Sequence, residues 1–153
     1  MASIQHSALS DPEIHEPKGI TTAAAGRVYV SNGSASGSWT ALQDTYTTVL
    51  DDVSLASVVY IPIHSACTVT RVVTVLGGAI TGANDTITVK NAAGTSMGTI
   101  TLTQSGSAAG DIDTLTPVSN NTVAANSFIT VETDGASGSS RQLFITVLTS
   151  RTA

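Results

Sequence analysis

Apolar and polar positions alternate along much of the chain, and β-branched residues are densest in the run VVYIPIHSACTVTRVVTVL, which begins at Val58. Val, Ile, Tyr and Thr suit a pleated, half-buried surface, and no helical period of 3.6 residues fits the second half of the run. Gly77 and Gly78 follow it and form a strong turn signal. The pattern therefore predicts two strands, Ser57–Ile63 and Thr68–Leu76, on which we expect the remaining strands to pack.

Short alternating segments of the same kind recur toward the end of the chain. Asp85–Lys90 and Thr99–Thr103 alternate cleanly on either side of a turn, which predicts an antiparallel hairpin. The other predicted strands are Thr47–Val53, Ser127–Glu132 and Arg141–Leu148, with Asp111–Val118 either irregular or a short edge strand. About seven or eight short strands without a helical segment favour an all-β fold, and our first choice is a jelly-roll-like antiparallel β-sandwich.

The predicted strand Arg141–Leu148 is apolar on both faces, so we expect it to be central in a sheet or part of an interface. Several other strands also carry apolar residues on both faces, which a two-sheet monomer would leave in water. A subunit interface would cover this excess. We therefore expect self-association, with a homotrimer as the expected order.

The first 42 residues show no sustained period and contain two proline steps, Asp11-Pro12 and Glu16-Pro17. Proline fixes its own φ and pushes the preceding residue toward extended geometry, so this part predicts an extended N-terminal arm. Arg27–Val30 and Trp39–Leu42 could pair as a small hairpin, which is marginal alone and needs a partner surface. We expect two parts, the arm over 1–42 and a β-sandwich domain over 43–153.

Charged residues make up only 11% of the chain, against about 25% in ordinary soluble domains. Serine, threonine, glycine and asparagine replace them, as in proteins that pack into large assemblies. With six Lys and Arg residues and a net charge of −5, the chain has no basic stripe for nucleic acid or an anionic membrane. It shows no signal peptide and no apolar run of about 20 residues, so we expect synthesis in a cytosol without export by the general route.

Two motifs resemble catalytic patterns, and each has a simpler interpretation. Gly94–Gly98 matches G-x-S-x-G, but a nucleophile elbow needs a helix after the serine, and a strand is predicted there. His64 precedes the single cysteine, Cys67, closely in the sequence, and the expected state of that cysteine is a buried thiol acting as a small hydrophobe. We expect no enzyme activity.

A calcium site is the remaining chemical candidate, because calcium favours clusters of oxygen ligands. The candidate ligands are Asp51, Asp52, Asp111, Asp113 and Asp134. Solvated aspartates are common in the loops of acidic proteins, so a solvated role is the preferred interpretation. His6 and His15 fall in the arm, where we expect no rigid frame for a metal. We expect no metal and no cofactor.

Two sets of segments resemble virion proteins of tailed bacteriophages. The first runs from IHEPKG at 14–19 through AAAGRVYVSNG at 23–33 to GSW at 37–39. It is similar to an N-terminal signature of head decoration (cement) proteins and of head- or tail-fibre-like proteins. The second comprises GAIT at 78–81, QSGSAAGD at 104–111 and NTVAA at 121–125. It looks like the β-sandwich half of the same proteins.

The resemblance implies a capsid decoration (cement) protein on the outer surface of the phage head. Such a protein stabilises the shell by bridging neighbouring major capsid subunits, with the arm bound to the major capsid protein and the β-sandwich forming trimers. The residues expected to bind the capsid are Ile14, His15, Glu16, Pro17, Lys18, Gly19, Val28, Tyr29 and Trp39.

Two other interpretations stay open. Pro17 and Trp39 could instead cover one end of the sandwich. The protein could also be a fibre-like or receptor-binding module of a phage that contacts host-surface glycans. The loops that would contact the glycan are Gly77–Asn84, Gln104–Gly110 and Asp134–Ser140.

Overall fold

The structure, a computed structural model, describes residues 23–24, 26–31 and 37–152, and these residues form strands, turns and loops. Backbone contacts group the chain into two units, one ending at Leu42 and the other running from Gln43 to Thr152. The strands are β1 (Arg27–Ser31), β2 (Gly37–Ala41), β3 (Gln43–Leu50), β4 (Ser57–Ile63), β5 (Cys67–Leu76), β6 (Asp85–Asn91), β7 (Ser96–Leu102), β8 (Ile112–Leu115), β9 (Thr122–Val123), β10 (Ser127–Thr133) and β11 (Leu143–Arg151). In the part of the chain that the structure describes, no helix is long and apolar enough to span a membrane.

The first unit contains an antiparallel hairpin of β1 and β2, in which Tyr29 lies opposite Trp39. This confirms the predicted hairpin, with one correction. The second strand begins at Gly37, two residues before the predicted start at Trp39. Glycine fits this position because the Tyr29 ring and the Val30 carbonyl leave no room for a Cβ atom.

The second unit is built from two antiparallel sheets. Sheet 1 has the strand order β3-β11-β5-β8, with the short β9 also paired to β5, and sheet 2 has the order β4-β10-β6-β7. The two four-strand orders, with β9 as an addition to sheet 1, form a jelly roll. The predicted fold class, an all-β jelly-roll-like sandwich, is therefore confirmed.

The core between the sheets is filled by aliphatic side chains at alternate strand positions. Ile129 and Val131 on β10, in sheet 2, share one buried cluster with Ile145 and Val147 on β11, in sheet 1. Burying each such side chain contributes about 1.5–3 kcal/mol. Cys67 lies in the same cluster as a free thiol, which confirms its predicted state.

Most strand bounds differ from the prediction by a residue or more, and the differences at β3 and β7 have a local cause. β3 lies closer to the N-terminus than the predicted Thr47–Val53, because Asp52 accepts hydrogen bonds from the backbone N and Oγ of Ser54 and closes a turn. β7 begins before the predicted Thr99–Thr103, because Gly98, at a φ of +142°, forms a bulge and the strand continues through it.

β11 is central in sheet 1, between β3 and β5, as its two apolar faces predicted. It extends beyond the predicted end to Arg151, whose guanidinium donates two hydrogen bonds to the Asp44 carboxylate of β3, at 2.7 and 3.0 Å. The segment predicted as an irregular or short edge strand is β8, and it lies at the edge of sheet 1.

Candidate functional site

The predicted capsid-binding residues fall on both sides of the boundary of the described structure. Those outside the described residues are Ile14, His15, Glu16, Pro17, Lys18 and Gly19. The other three lie in the hairpin of β1 and β2, with Val28 and Tyr29 on β1 and Trp39 on β2.

The hairpin brings Tyr29 and Trp39 together on one face. Their ring centroids are 5.4 Å apart and their planes lie at 66°, an edge-to-face arrangement, which adds about 0.5–1.5 kcal/mol beyond burial. Val28 and Val30 alternate to the other face and are exposed. The hairpin therefore has apolar side chains on both faces, and two strands alone cannot enclose either set.

None of the six aromatic side chains of the protein belongs to the buried core. Tyr46 packs against the core, and the others are partly or largely exposed: Tyr29, Trp39, Tyr60, Phe128 and Phe144. Aromatic residues are enriched in protein interfaces and supply many of their strongest contacts. The surfaces that carry them are therefore the candidate interaction sites.

An apolar row crosses the outer face of sheet 1. The register places Phe144 of β11 opposite Val49 of β3 and Val75 of β5, and Val75 lies opposite Ile112 of β8. Because side chains alternate between the faces of a strand, and Ile145 next to Phe144 is buried, these four side chains point away from the core. Sequence reasoning did not identify this row, although the two apolar faces of β11 were a signal for it.

The outer face of sheet 2 has a different composition. Its centre carries an ion pair between Lys90 of β6 and Glu132 of β10, and threonines alternate outward around it. At the edge on β4, the Tyr60 ring lies against Phe128, with centroids 5.5 Å apart and planes at 65°. Tyr60 is 63% exposed.

The three loops of the glycan-binding alternative are hydrogen-bonded to one another. The backbone N of Ile80, in the first loop, donates to Ser107 Oγ of the second at 3.0 Å. The backbone N of Gly138, in the third loop, donates to the Thr81 carbonyl of the first at 2.7 Å. The structure thus brings these loops together, but they carry small side chains and no aromatic ring.

The two catalytic-like motifs lie where loops meet strands. Ser96 begins β7, its Oγ accepts a hydrogen bond from the backbone N of Gly98 at 3.1 Å, and a strand follows it. His64 is exposed, whereas Cys67 is fully buried, and burial raises the pKa of the Cys67 thiol. A nucleophilic cysteine needs a lowered pKa, so this pair does not fit nucleophilic catalysis.

Two of the candidate calcium ligands stabilise their own turns. Asp52 binds Ser54, as described above, and Asp111 Oδ2 accepts a hydrogen bond from the backbone N of Ala108 at 2.7 Å. Among residues 23–24, 26–31 and 37–152, no three His, Cys, Asp or Glu side chains form a group that could hold a metal ion.

The strongest electrostatic perturbation is at Asp85, which sequence reasoning did not single out. Asp85 is fully buried at the start of β6, where its carboxylate accepts hydrogen bonds from Thr133 Oγ1 at 2.7 Å and from the backbone N of Ala136 at 3.2 Å. Burial, and then hydrogen bonding to Asp134, raise the pKa of Asp85 to about 6. The same hydrogen bond holds the pKa of the exposed Asp134 well below its ordinary value. The backbone N of Ala136 donates to Asp85 and the backbone N of Thr86 donates to Asp134, and these two hydrogen bonds fasten the loop after β10 to β6.

No protein-family model matches the sequence, and no curated protein matches it. A chain in the acidic stable capsid structure of Helicobacter pylori bacteriophage KHP30 is similar over 81% of this chain and 92% of its own length, with a TM-score of 0.51 and 14% identity. A chain in the capsid asymmetric unit of cyanophage Pam1 is similar over 87% of this chain and 99% of its own, with a TM-score of 0.47 and 15% identity. The KHP30 chain shares the fold of this protein, which confirms the resemblance to phage head proteins at the level of fold.

Proposed function

We propose that this protein is a capsid decoration protein of a bacteriophage, which binds the outer surface of the head and bridges neighbouring major capsid subunits. The observation that carries the proposal is the hairpin of β1 and β2, a two-stranded unit with apolar side chains on both faces. In the proposal, Tyr29 and Trp39 contact the shell beside the segment Ile14–Gly19, and the jelly roll stands outside it.

Several physical properties of the chain support this role. An extended segment with two prolines loses less conformational entropy on binding than a flexible one. Such a segment can lie across neighbouring subunits and add backbone hydrogen bonds to an exposed strand edge. If the jelly rolls associate as trimers, three arms act together, and their avidity exceeds the affinity of any one arm.

The composition and the fold support a structural role in the virion. Only 11% of the residues are charged, so the surface is mainly threonine, serine and small apolar side chains. The jelly roll is shared with a chain of the KHP30 capsid structure, and the sequence resemblance points to head proteins of the same kind.

A binding experiment tests the proposal. Heads of the phage that encodes the protein are purified without the protein, and the purified protein is then added to them. We expect wild type to co-sediment with the heads and Trp39→Ala to bind at least about tenfold more weakly, because a central aromatic contact carries much of an interface's affinity. Tyr60→Ala is the matched control, since it removes an exposed aromatic ring from the jelly roll and should bind like wild type.

Wild-type protein that does not bind heads would overturn the decoration role. Unchanged binding of the double variant Tyr29→Ala/Trp39→Ala would remove the hairpin from the interface while leaving the role intact. Unfolding of each variant, followed by circular dichroism, shows whether the jelly roll is retained.

The receptor-binding alternative is favoured by one observation, the exposed pair of Tyr60 and Phe128 on the outer face of sheet 2. The two rings meet edge-to-face, so they do not form the single flat platform on which a sugar ring could stack. The position and copy number of the protein in purified virions separate the two functions. Many copies on the head support decoration, and a few copies at the tail together with binding to a glycan array support adhesion.

A further inference from the structure

We propose that copies of this chain associate through the outer face of sheet 1, with Val49, Phe144, Val75 and Ile112 at the centre of the interface. The inference rests on the proposed function, in which several copies act together. It names the surface through which these copies contact each other. The occupant of this face is a second copy of the chain.

The charge distribution suits this face to self-association. Each copy carries a net charge of −5, so two copies repel wherever acidic surfaces meet. Among the outward-facing positions of β3, β11, β5 and β8, Arg71 is the single charged residue. A second copy can therefore approach this face without bringing carboxylates together, and depletion of charge is typical of interface centres.

The shape of the face is also suited to self-association. Phe144 is 46% exposed. It forms part of the wall of a shallow groove of about 390 Å³ between β3 and β11, which Thr47, Val49 and Thr146 also line. An exposed ring at the edge of a groove gives one surface both halves of a contact, so in a ring of three the Phe144 ring of each copy can enter the groove of the next. Such a contact needs no other protein.

The size of the face is at the lower end of what a specific interface needs. With strands about 4.8 Å apart and about 3.3 Å per residue, the four strands offer on the order of 500 Å² of flat surface. Three such faces closed around one axis would together bury on the order of 1,500 Å², shared among three contacts. Three copies turned toward a common axis would place three apolar sheet faces around one shared core, and each face would then contact two neighbours.

The test measures the mass of the full-length protein in solution by light scattering and sedimentation equilibrium. We expect wild type at about three times the 15.5 kDa of one chain. We expect Phe144→Ser to shift the equilibrium to single chains, with the dissociation constant raised at least about tenfold, because the change removes a central aromatic contact. Tyr60→Ser, which removes an exposed ring from sheet 2, should keep the wild-type mass.

Ile112→Lys is a second variant on the same face, and it decides the question if Phe144→Ser does not fold, because Ile112 is 64% exposed on an edge strand. A wild-type protein that is a single chain at its highest soluble concentration overturns the inference. So does an oligomer that both face variants keep, or one that Tyr60→Ser alone dissociates.

The binding of heads is measured separately on the same samples. Wild type that binds heads as a single chain contradicts this inference and leaves the decoration role standing. Wild type that associates through Phe144 but does not bind heads supports the inference and contradicts the decoration role.

Discussion

The two sheets of the jelly roll are built by the same alternation of residues, yet their outer faces differ. On sheet 2, outward threonines surround the pair of Lys90 and Glu132, so the face is polar at its centre. On sheet 1, Phe144 and its neighbours form an apolar row across β3, β11, β5 and β8. Threonine satisfies β propensity without exposing a large apolar side chain, so sheet 1 could have had the same polar face. This departure is the observation behind the proposed association through sheet 1.

The sheets also differ in how they hold a carboxylate. Asp44, in sheet 1, is paired with Arg151, and the hydrogen bonds from that guanidinium lower the pKa of Asp44. Asp85, in sheet 2, is fully buried beside Asp134, and its pKa is raised to about 6. Acid therefore has opposite effects on the stability of the two sheets. It destabilises sheet 1 by removing the paired charge of Asp44, and it stabilises sheet 2 by removing the buried charge of Asp85.

The largest expected effect is a difference in stability between variants on the inner face and on the outer face of β11. Ile145→Ala should lower the free energy of unfolding by about 3 kcal/mol, because it leaves a cavity in the core. Phe144→Ala should lower it by about 1 kcal/mol in the single chain, because half of that ring is already in water. Urea unfolding at low protein concentration measures both, which keeps association from contributing. Equal losses would show that Phe144 supports the fold and would weaken the contrast between the two outer faces.

The next effect concerns pH and the buried carboxyl of sheet 2. Because the pKa of Asp85 is raised in the folded protein, the stability that its protonated form contributes is present in acid and is lost as the pH rises through about 6. The pKa values of Asp44 and Asp134 are lowered, so their contribution is lost as the pH falls below about 4. We expect the melting temperature to rise by about 5 °C from pH 7 to pH 5 and to fall again in stronger acid.

Asp85→Asn tests this assignment, because the amide resembles the protonated acid in size and cannot ionise. The variant should lose the rise between pH 7 and pH 5 and keep the fall at lower pH. Asp51→Asn is the control, because it replaces an exposed carboxylate. This variant should keep both the rise between pH 7 and pH 5 and the fall at lower pH. A rise that persists in Asp85→Asn would assign it to another group.

The smallest expected effect concerns the ion pair on sheet 2. Lys90 and Glu132 are each about one-third exposed, and pairs of this kind contribute at most about 1 kcal/mol. The double variant Lys90→Met/Glu132→Gln should therefore unfold within about 1 kcal/mol of wild type in urea. Its mass in solution should also stay unchanged. An added association through sheet 2 would show that this pair, more than the apolar row, decides which face copies use.

Much of the architecture follows from local patterns in the sequence. A dense run of β-branched residues predicted the strands β4 and β5, and the apolar faces of Arg141–Leu148 predicted a strand that is central or part of an interface. The proline steps and the scarcity of charge indicated an arm and an assembly protein. Strand ends were less predictable, because the bulge at Gly98 and the turn at Asp52 depend on hydrogen bonds and backbone angles that composition does not show.

Only the tertiary structure decided which distant residues become neighbours. Alternation tells which residues of one strand share a face, because that period is local. The register between strands is set by pairing across the sheet, and it alone aligns Val49, Phe144, Val75 and Ile112 into one row. The shifted pKa of Asp85 has the same origin, since it exists only where chain folding buries the carboxyl beside the loop after β10.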